Sequence, residues 1–240
     1  MSKINGLLLL LMPLMLSETF ASELRPKNIN SYKALVIEAL ERIEASMHDE
    51  WEFKVKRESI EDGIPESSIE LYSPNLSYEE RWKLLRVNDA KPTKKQQQSF
   101  QKRMGKYLQQ NNGVQNNLGL NIFEVVNIDT LTLTSKTTAL ASFSFEVNYP
   151  GFAKEANRAL IGTLFYDINR QYVSFIEIKN RQDFSPAFSV SVSYLYVRFD
   201  FALLDDAIVN KENYLEIVGK VAFISRFEEI SRDKYYGYKK

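Results

Sequence analysis

No cysteine occurs among the 240 residues, and histidine occurs once, as His48. The absence of Cys excludes disulfides, a thiol nucleophile, a thiolate metal site and a lipid carried on Cys. A Ser-His-Asp site would have to be built on His48, which ends a helical segment among Glu and Asp and reads as a surface residue. No Ser lies in a nucleophile-elbow motif, and the nine Gly are scattered, with no loop rich enough to cradle a phosphate. There is neither a His pair nor a calcium-loop spacing. The expectation is therefore no metal, no cofactor, no catalytic residue and no enzyme activity. Charge of one sign is also lacking. Lys plus Arg number 31, as do Asp plus Glu, so the basic excess of a nucleic-acid binder is absent.

Aromatic residues are plentiful: 15 Phe, 13 Tyr and 2 Trp. They suit a chain whose stability comes from packing alone. At the N-terminus Lys3 supplies a short positive region, and Leu7–Leu16 form an apolar stretch broken by Pro13. Thr19-Phe20-Ala21 then offers small residues at the positions read by signal peptidase. The apolar stretch is shorter than the roughly 20 residues of a spanning helix. Residues 1–21 thus read as a signal peptide, with no transmembrane span after cleavage. Residues 22–240 read as one periplasmic domain, long enough to bury a substantial core.

Ser31 is placed to cap a helix whose stripe is Leu35, Ala39, Leu40 and Ile43. The period then changes to two. Trp51, Phe53 and Val55 alternate with Glu52, Lys54 and Lys56, Ile69 and Leu71 alternate with Glu70 and Tyr72, and Trp82–Val87 forms a third strand. Thr93 and Gln96 have capping-box spacing ahead of a helix over Lys94–Gln110. Its stripe of Phe100, Met104, Tyr107 and Leu108 is narrow, and its lysines and arginines read as a solvated face. An Asn- and Gly-rich loop covers 111–119. Strands follow in near-continuous succession. Leu131 and Leu133 alternate with threonines, and Phe143, Phe145, Val147 and Tyr149 alternate with Ser142, Ser144, Glu146 and Asn148. Ile161–Tyr166 and Tyr172–Ile178 flank a hairpin turn, and Val190–Phe201 and Tyr214–Phe227 complete the set. Eight to ten strands and two main helices predict an α+β, mainly β chain with a large antiparallel sheet. The helices are expected inside the concave face of a strongly curved sheet.

Glu146 falls on the wet parity of its strand, and Asp205-Asp206 reads as a turn. A carboxylate pair for glycoside hydrolysis has no buried candidate. The aromatic strand faces either fill a core or line a cavity for an apolar ligand, and periodicity does not separate the two. If a cavity exists, its lining residues are Trp51, Phe53, Val55, Trp82, Phe143, Phe145 and Val147.

Glu70-Leu71-Tyr72-Ser73-Pro74, then Trp82–Asn88, then Lys91-Pro92-Thr93 at a helix start, resemble a group of exported proteobacterial proteins of uncharacterised function. Ser73 stands where that group commonly has an acid, and Ala90 where it has Gly. In the C-terminal half, Gly162–Phe165, Tyr172–Ile178, Gly219-Lys220-Val221 and Tyr235–Tyr238 are similar to LolA-like proteins, periplasmic carriers of lipoproteins between the two membranes. The resemblance implies an open half-barrel of antiparallel strands with helices at its mouth. It also implies a periplasmic binding protein that buries a lipid or a lipoprotein acyl chain between sheet and helices. The alternative is an envelope assembly module that engages a protein partner through a sheet edge or surface patch, without a small ligand.

Overall fold

The computed structural model describes residues 29–46, 50–77, 79–110, 122–222 and 224–240. The leader 1–21, His48 and the loop 111–119 lie outside the described residues, as do the side chains of Ser31, Tyr107 and Leu108. Helix α1 (Ile29–Ser46) leads into strands β1 (Glu52–Glu61), β2 (Ile64–Tyr72) and β3 (Trp82–Val87). Helix α2 (Lys94–Gln110), the short α3 (Ile122–Val125) and a 3-10 turn (Ile128–Thr130) precede β4 (Thr132–Lys136) and β5 (Leu140–Phe145). The short α4 (Lys154–Arg158) opens the run β6 (Leu160–Asp167), β7 (Tyr172–Asn180), β8 (Val190–Leu204), β9 (Ala207–Val221) and β10 (Ser225–Lys239).

The ten strands form one antiparallel sheet in the order β3-β2-β1-β10-β9-β8-β7-β6-β5-β4, and the sheet is not closed. Two meanders are thus joined at a single seam, where β1 pairs with β10 from Glu52↔Lys239 to Glu61↔Glu229. Local chemistry explains the corners. Asp62 and Gly63, both at positive φ, make the two-residue turn between β1 and β2. The Asp62 N–H and carboxylate then extend the seam to the backbone of Glu228, at 2.9 and 3.0 Å. Asp167 Oδ1 accepts from the N–H groups of Asn169 and Arg170 and bends the chain between β6 and β7, where a hairpin is expected. Thr93 and Gln96 complete the capping box reciprocally, at 3.2 and 2.8 Å.

Three expectations are corrected. α1 begins at Ile29, ahead of Ser31. The strand expected over 214–227 is the hairpin of β9 and β10, because Ala222 takes a positive φ and turns the chain there. On β2 the alternation runs opposite to its hydrophobicity: Glu70 and Tyr72 are buried, whereas Ile69 and Leu71 are half-buried. Pairing decides this. Val55 opposes Glu70 and Phe53 opposes Tyr72, so both take the face that Phe53 occupies.

Opposed residues of antiparallel strands share a face. One row therefore crosses all ten strands: Leu133, Phe143, Leu164, Ile176, Phe199, Asn213, Asp233, Arg57, Ser68, Val87. It is apolar from β4 to β8 and polar from β9 to β2. Both main helices pack on this face. Val36, Ala39, Leu40 and Ile43 of α1 join the larger cluster over β5 to β9, and Phe100 of α2 joins a smaller one over β1 to β3. Arg42 fixes α1 further by donating to the carbonyls of Gln171 and Asp206, at 3.0 and 3.2 Å, in two separate turns.

The larger cluster depends on one glycine. Phe145 opposes Gly162 across β5 and β6, and a Cβ there would overlap the Phe145 ring. Gly162→Ala is expected to cost about 1–3 kcal/mol, the usual range for overpacking. Adding Phe145→Leu should restore part of it. Urea unfolding of the single and double variants checks this, and an unchanged midpoint for Gly162→Ala would show that the ring is not seated on that backbone.

Candidate functional site

The structure divides the seven expected lining residues between the two clusters. Trp51, Phe53, Val55 and Trp82 come together in the smaller one, where Phe53 lies 5.1 Å from the Tyr72 ring, 5.9 Å from Trp82 and 5.3 Å from Tyr238. Phe143, Phe145 and Val147 lie in the larger one. All seven are buried, and none borders the surface grooves at Tyr196, Arg57 and Ile60.

Between the clusters runs the polar part of the row. Glu70 is fully enclosed. Its Oε2 accepts from Arg57 Nε at 3.0 Å, its Oε1 accepts from Ser68 Oγ at 3.3 Å, and Arg103 of α2 reaches Oε1 at 3.6 Å. Arg57 also donates to Asp233 on β10. Burial works against the Arg57 charge, but Glu70 and Asp233 outweigh it and raise the pKa of its guanidinium. Burial pushes the Asp233 carboxyl up, against the opposing pull of Arg57. Asn213 Nδ2 donates to the Tyr235 hydroxyl at 3.0 Å, and the Tyr238 hydroxyl donates to the Asn210 carbonyl at 2.6 Å. Among the described residues, the Asn210 side-chain amide, Asn213 Oδ1 and Trp82 Nε1 have no hydrogen-bond partner. A groove of about 730 Å³ opens beside Arg57, Glu70, Asn88 and Arg103. Every carboxylate of this network faces a guanidinium, which suits cross-linking of strands better than proton transfer. Among the described residues no group of three His, Asp or Glu is placed to hold a metal ion.

The opposite face carries a different row: Glu177, Arg198, Tyr214, Arg232, Glu58, Ser67, across β7, β8, β9, β10, β1 and β2. Arg198 donates twice to Asp200 at 2.7 Å and once to Glu177 at 3.2 Å, and lies 4.0 Å over the Phe175 ring. Tyr196 donates to Glu177 at 2.8 Å and Tyr214 to Glu216 at 3.1 Å. Burial, and then these carboxylate bonds, raise both phenol pKa values. The Tyr196 and Tyr214 rings stand 5.8 Å apart, Arg232 caps Tyr214, and Tyr194 is 44% exposed beside them. Tyr194, Tyr196, Arg198, Asp200, Tyr214 and Arg232 are among the residues that line a trough of about 520 Å³. The sequence carries a signal for it: along β8, Tyr194, Tyr196, Arg198 and Asp200 alternate with Leu195, Val197, Phe199 and Phe201, so both parities are rich in large side chains. Arg57, Glu70 and Asp233 carry a fainter signal, the parity that Glu70 shares with Tyr72.

The fold and these surfaces define a mainly β protein with an unclosed ten-stranded sheet, helices on one face and an aromatic–charged trough on the other. No protein-family model, no curated protein and no solved structure matches the chain.

Arg57→Ala would leave Glu70 enclosed without its nearest cation. The expected loss at pH 7 is about 2–3 kcal/mol, below the upper range for a fully enclosed pair because the Arg57 side chain is 34% exposed. The urea midpoint of Arg57→Ala reads this directly, and adding Glu70→Gln, which removes the poorly compensated charge, should restore part of the loss.

Proposed function

We propose that this chain is a non-enzymatic binding protein of the periplasm that engages an envelope component on the open sheet face formed by β7 to β10. The observation that carries the reading is the trough at Tyr196, Tyr214, Arg198 and Arg232, whose rings and guanidinium groups are already fixed by Glu177, Glu216, Asp200 and Glu212. Ordering side chains on binding is costly, and here the side chains are ordered beforehand. Aromatic and Arg side chains are also the types that carry most binding energy at recognition surfaces. Export follows from the leader-like residues 1–21.

The helix-bearing face corresponds in this proposal to the concave side of a half-barrel, in keeping with the LolA-like resemblance. A lipid carrier of that kind would bury acyl chains there. That requires Trp51, Phe53, Trp82 and their neighbours to part from Phe100 of α2, or Phe143 and Phe145 from the α1 stripe. The open face needs no such rearrangement.

Hydroxyl-radical footprinting of the mature protein, purified and in a periplasmic extract, tests the reading. Tyr194, Tyr196 and Tyr214 are expected to lose reactivity in the extract, while exposed α2 positions such as Gln98 keep theirs. Unchanged reactivity at these tyrosines, or a lipid-sized mass on protein purified without detergent, would contradict it.

A further inference from the structure

The trough has a charge pattern that selects among occupants. It is lined by three tyrosines and six charged residues, and those six carry three charges of each sign. Four of the six are satisfied locally, Arg198 by Asp200 (and by Glu177 beside the trough) and Arg232 by Glu212 at 3.1 Å, and the other two, Lys211 and Glu216, are one of each sign. An anionic or cationic ligand meets at most one opposite charge outside these ion pairs, beside one of its own sign, and gains any further partner only by displacing one already in place. A neutral ligand rich in hydroxyls meets no such competition. Carboxylates keep spare acceptor sites and guanidinium groups spare N–H donors after pairing once, so fixed planar donors and acceptors stand side by side. The tyrosine rings supply the remaining element, apolar surfaces against which the C–H faces of a sugar ring can lie. A protein partner fits less well, because the centres of protein interfaces are depleted in Lys, Glu and Asp.

The trough does not end at β10. Tyr214 and Arg232 also border a second groove, of about 660 Å³, which continues to Ile230, Ile60 and Pro65. Ile230 opposes Ile60, and Ile60 opposes Pro65, so this groove follows the same face onto β1 and β2. The two together cross five strands, a path of roughly 19 Å at the usual strand spacing. That length suits a chain of several units running across the strands rather than one small molecule.

We propose that the open sheet face binds a neutral glycan chain, its sugar rings lying over Tyr194, Tyr196 and Tyr214 and its hydroxyls bonded to Asp200, Arg198 and Arg232. This rests on the docking reading above and names the class of ligand.

The experiment is a glycan array probed with the mature protein, holding neutral gluco-, manno-, galacto- and N-acetylhexosamine oligosaccharides beside their uronic-acid and sulfated counterparts. Affinities of the hits are then measured by calorimetry. The expected result is retention of one or more neutral oligosaccharides, tighter for longer chains. Tyr214→Ala and the more exposed Tyr194→Ala should each bind about tenfold more weakly, and Lys95→Ala, on the opposite face, should bind like the parent. The urea midpoint of each variant separates lost binding from lost fold, and Tyr194→Ala, at the surface, keeps the test available if Tyr214→Ala unfolds. Retention of anionic glycans alone, or equal binding by the tyrosine variants, overturns the proposal. So does the absence of any retained neutral glycan. If that absence accompanies footprint protection of the same tyrosines in the extract, the docking reading stands and the occupant is a protein. If protection is absent too, both readings fail.

Discussion

The pairing of β1 with β10 is the contact on which the rest of the molecule depends. It joins residues 176 positions apart at Arg57 and Asp233, so the chain must close nearly its whole length before either strand is satisfied. No disulfide assists, since the chain has no cysteine. The closure is made by nine paired positions, by the Asp62–Glu228 contacts at one end, and by a guanidinium that bonds to a carboxylate on each side. Such distant pairings form late and slowly. Without this one, β1 to β3 would be a three-stranded sheet with a single helix against it, at the lower limit of independent stability.

That seam explains why the helix-bearing face has two apolar clusters rather than one. From β4 to β8 the row is Leu, Phe, Leu, Ile and Phe, and it ends at Asn213, Asp233 and Arg57 before aromatics resume at Phe53 and Tyr72 on the same face. The charged strip fixes the register of the seam, because a one-residue slip would move Arg57 to the other face and leave Glu70 enclosed with only Ser68 and the more distant Arg103 beside it. The opposite face uses the same ion-pair chemistry in the open. There the pairs hold tyrosines and arginines in place at a surface, which is why that face carries the functional proposals.

The sequence shows in advance what is local. The α1 stripe, the capping box, the alternation at Trp51, Phe53 and Val55 and the turn after Asp167 are set by neighbours within a few residues, and all are found where they are expected. What depends on partners across the sheet stays hidden. Glu70 lies between Ile69 and Leu71, so alternation alone points it outward, and only its opposition to Val55 turns it in. The hairpin at Ala222 carries no Gly, Pro, Asn or Asp at its positive-φ position, so it reads as continuous strand. The candidate site follows the same rule. The aromatic residues are visible one by one, but the trough exists only because β8, β9 and β10 are aligned so that Arg198, Tyr214 and Arg232 share a row.

Native-state hydrogen exchange resolved along the chain tests most directly whether the two meanders form one cooperative sheet. In one cooperative sheet the paired amides of β1 and β10 exchange as slowly as those of β8 and β9, through the same global opening. Exchange of β1 to β3 through a separate opening of much lower free energy, with β8 and β9 still protected, would contradict it.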